Sequence, residues 1–141
     1  MAHIINLTVQ TLLDDLDSSQ KAISKLRKVI TLIQSSPQRR ERFQAQCTAS
    51  NKRQKELILD VKTRWNSTYS MIETASEYSD PLDNTIATDR DMRTNELCDD
   101  WEILRMILNI LQVSIIFCNY NTVHTYLLII LNFRFLMKLQ T

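Results

Sequence analysis

Side chains that could hold a metal or attack a substrate are few in this sequence, and they lie far apart. Cys47, Cys98 and Cys118 form no Cys-x-x-Cys pair. Only His3 and His124 could join them, so the ligand spacing of a zinc site is absent. An odd number of distant cysteines gives no disulfide framework and is typical of reduced thiols in an intracellular protein. We therefore expect no metal site.

The composition excludes several classes of nucleotide-binding protein. The chain has 141 residues and no glycine, where roughly ten would be expected at ordinary usage. Glycine-rich phosphate loops and dinucleotide-binding motifs need glycine for their tight turns. Because prolines number only two as well, the chain is predicted to be mainly α-helical. We expect neither a cofactor nor a small-molecule substrate.

Positive charge is concentrated in one part of the chain. The stretch from Lys21 to Arg64 contains twelve basic and three acidic residues, whereas residues 65–105 contain three basic and ten acidic residues. The first stretch is a candidate phosphate-facing surface, which makes DNA a candidate partner. In the alternative interpretation, its lysines are the polar side of a soluble helix, and the two stretches neutralise one another.

Apolar periodicity predicts that a series of helices positions these charges. The predicted helices cover approximately residues 4–16, 19–34, 37–50, 66–78 and 95–113. Residues 79–94 are predicted to be a charged loop. The short apolar run Leu57–Leu59 could be a strand or a helical turn, and periodicity does not decide between them.

Two predicted helices carry clear apolar faces. Met71, Ile72 and Ala75 are predicted to face the core from the helix over residues 66–78. The helix over residues 95–113 has an apolar seam with spacings of three and four, which could be either core or a partner surface. This seam consists of Leu97, Trp101, Leu104, Leu108 and Leu111.

The end of the sequence differs from the rest. From Ser114 onward acids are absent, and apolar residues would lie on all sides of a helix. The uninterrupted apolar run, residues 126–131, is short, since a membrane span needs about 20 residues. We therefore expect a buried or exposed helix here rather than a membrane span; the alternative is a membrane anchor over residues 114–139.

The segment Leu59–Ile72 is the most specific motif in the chain. It resembles the D-V-x-T-R-W-N-S-T-Y-x-M-L segment of hAT-superfamily transposases, which include BED-zinc-finger and RICESLEEPER-like relatives. Further stretches agree with the same family in order and spacing: Ala2–Gln10, Ser35–Arg39 and Asp100–Glu102. The resemblance covers residues 2–112, whereas residues 113–141 form an apolar tail that does not resemble the family.

The resemblance implies a fold and a reaction. Family members cut DNA with three acidic residues that hold two divalent ions, Mg²⁺ or Mn²⁺, in an RNase H-like core. None of these acids aligns within this chain, so the resemblance implies no catalytic residue and no bound metal here. The expected fold is mainly α: a truncated piece of the RNase H-like core and its helical insertion, with at most one short strand near Leu57–Leu59.

The resemblance also suggests residues that contact DNA. Arg64 and Trp65 match the family's Arg-Trp pair, which is implicated in handling the DNA end. An arginine fork binds phosphate, and tryptophan stacks on an unpaired base. Alternatively, Trp65 anchors the core beneath the following helix, and Arg64 pairs with Asp60 or Glu73. The other candidate DNA-binding residues are Lys62, Arg39, Arg40 and Arg42.

Together these patterns predict a function. We expect a nuclear, catalytically incomplete piece of a hAT-type DNA transposase or of a domesticated derivative. It would at most bind DNA without sequence preference through a basic helical surface. The alternative is a helical interaction module that docks on a transposase-family protein, with its apolar seam and tail as the partner surfaces. His3 matches a family histidine but lacks its cysteine, so it is expected to be inert.

Overall fold

A computed structural model describes residues 17–120, with side chains up to Ile116, together with Leu7, Val9 and Thr11. Residues 17–120 contain five α-helices and a short 3-10 helix and no strand, which confirms the mainly α fold. The helices are α1 (Asp17–Gln34), α2 (Pro37–Ala49), α3 (Trp65–Glu77), α4 (Ser79–Thr88) and α5 (Trp101–Tyr120), and the 3-10 helix is Arg93–Asn95.

Helix α1 crosses the structure with one apolar and one basic side. Leu26, Ile30 and Ile33 are buried at spacings of three and four, which is the spacing of one helical face. The polar side carries the exposed residues Lys21 and Lys28. This helix packs against both α2 and α5, so its apolar side forms the centre of the core.

Helix α2 begins at Pro37, in the first turn, where the backbone N–H that proline lacks would have no partner within the helix. It ends in a left-handed C-terminal cap, a position that glycine usually occupies and that asparagine occupies here. Asn51 has a φ of 54°, in the left-handed region. The N–H groups of Asn51 and Lys52 donate to the carbonyls of Thr48 and Cys47, which is the Schellman pattern. Asparagine takes this role because it tolerates the left-handed conformation better than most residues.

The prediction of a charged loop over residues 79–94 is wrong for residues 79–88. Residues Ser79–Thr88 form α4, followed by the 3-10 helix. Pro81 lies in the first turn, where proline is tolerated, and Leu82 and Ile86 are buried four residues apart. The short apolar stripe packs on α2, so tertiary contacts stabilise a helix that its polar composition does not suggest.

Helix α5 begins later and extends further than predicted, from Trp101 to Tyr120. Leu97, Leu104 and Leu111 are buried in the core, where α5 packs on α3 and α1. Leu108 is partly buried against the same core. The hypothesis that this seam is a partner surface is therefore wrong, because the seam is buried within the chain itself.

The connection between α2 and α3 is neither a strand nor a helical turn at Leu57–Leu59. Residues 52–61 run without a turn or a bend. Helix α3 begins at Trp65, one residue before the predicted start at residue 66, and Met71, Ile72 and Ala75 are buried as predicted.

Some predictions concern residues that the structure does not describe. His3 is one of these residues, and most of the predicted helix over residues 4–16 and most of the apolar tail also lie outside the described residues. Among the described residues, no helix has the length and apolar character required to cross a bilayer.

Candidate functional site

Asp60 is the central residue where α1, α3 and the connecting segment meet. Arg27 on α1 donates from Nε to Oδ1 at 2.7 Å and from Nη2 to Oδ2 at 2.6 Å. Thr68 on α3 donates its hydroxyl to Oδ2 at 2.7 Å. The Asp60 side chain is 1% exposed. Burial opposes its ionisation, but the bonds from Arg27 and Thr68 outweigh this cost and lower the pKa of Asp60.

This arrangement leaves Arg64 outside the pairings that the sequence suggested. Asp60 is paired with Arg27, and Glu73 accepts a hydrogen bond from the Tyr69 hydroxyl at 2.9 Å, which raises the pKa of Tyr69. Arg64 is exposed immediately before α3. Its guanidinium makes no ion pair with the described residues, so it can contact a ligand in solvent.

Trp65 lies in the core. It is the first residue of α3 and is 5% exposed, within the cluster of buried apolar side chains. In this position its ring faces other apolar groups, which corresponds to the core-anchor interpretation. Stacking on an unpaired base would require the ring to leave the core.

The arginines of α2 divide into two groups. Arg39 donates to Asp89 at 2.8 Å and to Asp91 at 3.1 Å, and Arg42 lies 3.5 Å from Asp89. The hydrogen bond from Arg39 lowers the pKa of Asp89 despite its partial burial. These pairs fasten α2 to the end of α4. Arg40 is exposed and points into a different cavity, beside α2 and residues 54–57.

Lys62 lies at a groove between α1 and the connecting segment. The groove has a volume of about 390 Å³. Six of its eight lining residues are polar, and three of these are basic. The lining consists of Ser24, Arg27, Lys28, Thr31, Leu32, Leu59, Asp60 and Lys62. Lys21 continues the basic face of α1, since Lys21, Ser24, Lys28 and Thr31 recur at helical spacing and are all exposed.

The groove suits an anion rather than a metal. Its single carboxylate, Asp60, is already bound by Arg27, while Lys28 and Lys62 add positive charge. Within the described part of the chain no group of three or more histidine, cysteine or acidic residues converges as metal ligands would. A phosphate group, which accepts hydrogen bonds and carries negative charge, matches these side chains.

Of the residues predicted from the sequence to bind DNA, Lys62 lines this groove, whereas Arg64 does not. Lys28 was omitted from that prediction, although the spacing of Lys21 and Lys28 on the polar side of α1 was visible. The pairing of Arg27 with Asp60 joins residues 33 positions apart, and no local pattern signals it.

Comparisons with known proteins place the chain in a family. Residues 1–110 match the family described as the ZBED1 RNase-like helical domain. The chain is 30% identical over 113 residues to Zinc finger BED domain-containing protein RICESLEEPER 2 of Oryza sativa subsp. japonica. It is 24% identical over 111 residues to Zinc finger BED domain-containing protein 4 of Homo sapiens. No solved structure matches it.

The chain therefore belongs to the ZBED1 RNase-like helical domain family, and it is related to hAT-type transposases. This confirms the resemblance seen in the motif Leu59–Ile72. Each alignment includes 79% of this chain, but only 15% of the rice protein and 9% of the human protein. The chain thus spans a small part of the length of these relatives.

Proposed function

We propose that this chain is a helical domain of a hAT-type transposase-related protein that binds the DNA backbone without sequence preference and performs no strand cleavage itself. The proposal includes a nuclear location and no bound cofactor. It rests on the family and on the basic groove between α1 and the segment before α3.

The observation that carries the proposal is the convergence of separate basic residues on one groove. Lys28 from α1 and Lys62 from the connecting segment both line it. Lys21 extends the same face of α1, and Arg64 follows Lys62 by two residues. Such a surface attracts phosphates through charge and reads no base edges, so affinity is expected to depend strongly on salt.

The proposed lack of cleavage follows from how the carboxylates are used. Two-metal cleavage requires acidic groups that converge on the ions. Two buried carboxylates are each paired with an arginine: Asp60, just before α3, pairs with Arg27, and Asp89, just after α4, pairs with Arg39. Purified chain incubated with supercoiled plasmid and Mg²⁺ or Mn²⁺ is expected to leave the plasmid intact, and metal-dependent nicking would contradict this part of the proposal.

The binding itself is tested by titrating a labelled DNA duplex with the intact chain at two salt concentrations. Weak binding at low salt that falls steeply at higher salt, and that is equal for unrelated sequences, is the expected result. Absence of binding at low salt, or binding that ignores salt, would reject the proposal.

A second candidate function is docking on a transposase-family protein. One observation favours it: Met106 and Ile110, four residues apart on α5, are half-buried, and Ile116, further along the same helix, is exposed. An apolar strip of this kind suits a helix of a partner. Co-purification with a family member that survives high salt would favour this function over DNA binding.

A further inference from the structure

The segment between α2 and α3 is held straight by side chains along one edge. Residues 52–61 contain no turn or bend. Three side chains of the helical body donate to alternate carbonyls of this segment: Tyr78 Oη to Arg53 at 3.0 Å, Gln44 Nε2 to Lys55 at 3.1 Å and Gln34 Nε2 to Leu57 at 2.8 Å. In an extended chain, successive peptide groups point to opposite sides. Residues 54, 56 and 58 therefore direct their N–H and carbonyl groups away from the helices.

The opposite edge of the segment is open. None of the backbone N–H groups of residues 53–59 donates a hydrogen bond to the residues that the structure describes. Apolar side chains next to this edge are also exposed: Ile58 by 42%, Leu59 by 41% and Val61 by 53%. An extended edge with unpaired polar groups and exposed apolar side chains is a template for the addition of another strand.

We propose that residues 54–61 are a docking edge for an extended, acidic segment of a partner protein, which binds by adding a β-strand. The charges at the two ends of the edge select the partner. Arg53 lies exposed at one end and Arg64 at the other, while Lys55 is exposed but already pairs with Glu77 at 3.6 Å. Alternating apolar side chains of the partner would cover Ile58 on one face of the strand pair, while its acidic side chains, on the other face, would meet Arg53.

A second copy of this chain fits the edge poorly. Antiparallel pairing of two copies centred on Ile58 would place Glu56 opposite Asp60 of the other copy. Like charges directly opposite each other destabilise a strand pair, so the edge favours a different partner.

The proposal is tested with the intact chain and a fluorescent synthetic peptide in which glutamate alternates with valine. A series of peptides carries one N-methyl group at each successive backbone nitrogen. If the peptide binds as a strand, methylation at alternate positions weakens binding by about tenfold, and methylation at the intervening positions changes it less than about twofold. Equal effects at all positions would show attraction by charge alone and would overturn the proposal, as would absence of binding.

Two variants at one position test the edge from the side of the chain. Ile58→Pro removes an outward N–H, whereas the matched variant Ile58→Val keeps it together with an apolar side chain and β propensity. Peptide affinity is expected to fall by at least about tenfold in the proline variant and to stay within about twofold in the valine variant. Circular dichroism checks the helices. If the proline variant loses them, the N-methyl series on the unaltered chain decides the question.

Two further outcomes are distinguishable. Concentration-dependent dimers in sedimentation experiments that disappear in the proline variant would overturn the acidic partner in favour of a second copy. Leu59 and Asp60 border both the edge and the groove, but Ile58 does not line the groove, so Ile58→Pro is expected to bind duplex DNA as the unaltered chain does. Parallel loss of peptide and DNA binding would show that the two use one charged surface, which contradicts the proposal.

Discussion

At the scale of single residues, Asp60 connects three separate parts of the chain through one carboxylate. Arg27 and Thr68 occupy both of its oxygens, and its side chain is almost fully buried. Removing one member of a buried ion pair leaves the other without compensation. We predict that Asp60→Asn lowers the free energy of unfolding by about 3 kcal/mol, measured by urea denaturation.

The control for this substitution is Asp91→Asn. The Asp91 side chain is 79% exposed, although it also pairs with an arginine. Exposed pairs contribute about 0–1 kcal/mol, so the control is expected to remain close to the unaltered chain. Equal destabilisation of both variants would contradict the role assigned to Asp60.

The lowered pKa values of Asp60 and Asp89 predict how stability depends on pH. As the pH falls through about 3.9, the pKa of an unfolded aspartate, these carboxylates take up protons in the unfolded chain while they are still ionised in the folded chain. The stabilisation is therefore fully present above about pH 5 and is lost as pH falls through the lowered folded values.

Urea denaturation between about pH 6 and pH 3 tests this dependence. The free energy of unfolding is expected to fall toward acid, and less steeply in Asp60→Asn than in the unaltered chain. Asp83 works in the opposite direction, because burial and the nearby acids Asp80 and Glu96 raise its pKa. Curves that run parallel in the variant and in the unaltered chain would show that Asp60 does not contribute.

Residue-scale prediction from sequence used local information. The motif indicated Lys62 and Arg64 as DNA contacts; both are exposed just before α3, and their binding role stays a prediction. It could not show that Arg39 meets Asp89, since 50 residues separate them. Long-range ion pairs depend on how helices pack, so composition alone could not distinguish a paired arginine from an available one.

At the scale of elements, the absence of glycine made the end of α2 a critical position. Asn51 supplies the left-handed residue of the cap. We predict that Asn51→Ala lowers the free energy of unfolding by about 1 kcal/mol, because a Cβ without a polar group disfavours this conformation. Asn51→Gly is expected to preserve or slightly raise stability.

Thermal denaturation of the two Asn51 variants gives the comparison, with Ser50→Ala as a control at the preceding position. Ser50 has a φ of −89°, which alanine adopts readily. If alanine at position 51 is as stable as glycine, the cap does not depend on the left-handed conformation.

Helix prediction from sequence was accurate where apolar spacing was long and regular. Helices α1, α2 and α3 have bounds close to those expected. Helix α4 was missed because Asp80 and Pro81 resemble a turn and only a short apolar stripe follows. Its docking on α2, reinforced by Arg39, supplies stability that its own sequence does not provide.

At the scale of the whole molecule, the division of charge has two consequences. Some basic residues of the first half pair with acids of the second half, such as Lys25 with Asp100 at 2.7 Å and Arg39 with Asp89. Others, including Lys28 and Arg64, stay exposed. Both interpretations of the charge pattern therefore apply, each to a different subset of residues. Family membership could be inferred from one motif, whereas the groove required the packing of α1 beside the segment before α3.

The central claim, that the groove between α1 and this segment binds the DNA backbone, is tested most directly by the salt dependence of two double variants. Lys28→Gln with Lys62→Gln removes two charges from the groove, and Arg90→Gln with Arg105→Gln removes two exposed charges elsewhere. The slope of log affinity against log salt for a DNA duplex is negative, and in the first variant it is predicted to become shallower by about 2. It is predicted to stay unchanged in the second. Equal slopes for both variants, with helical content retained, would contradict the claim.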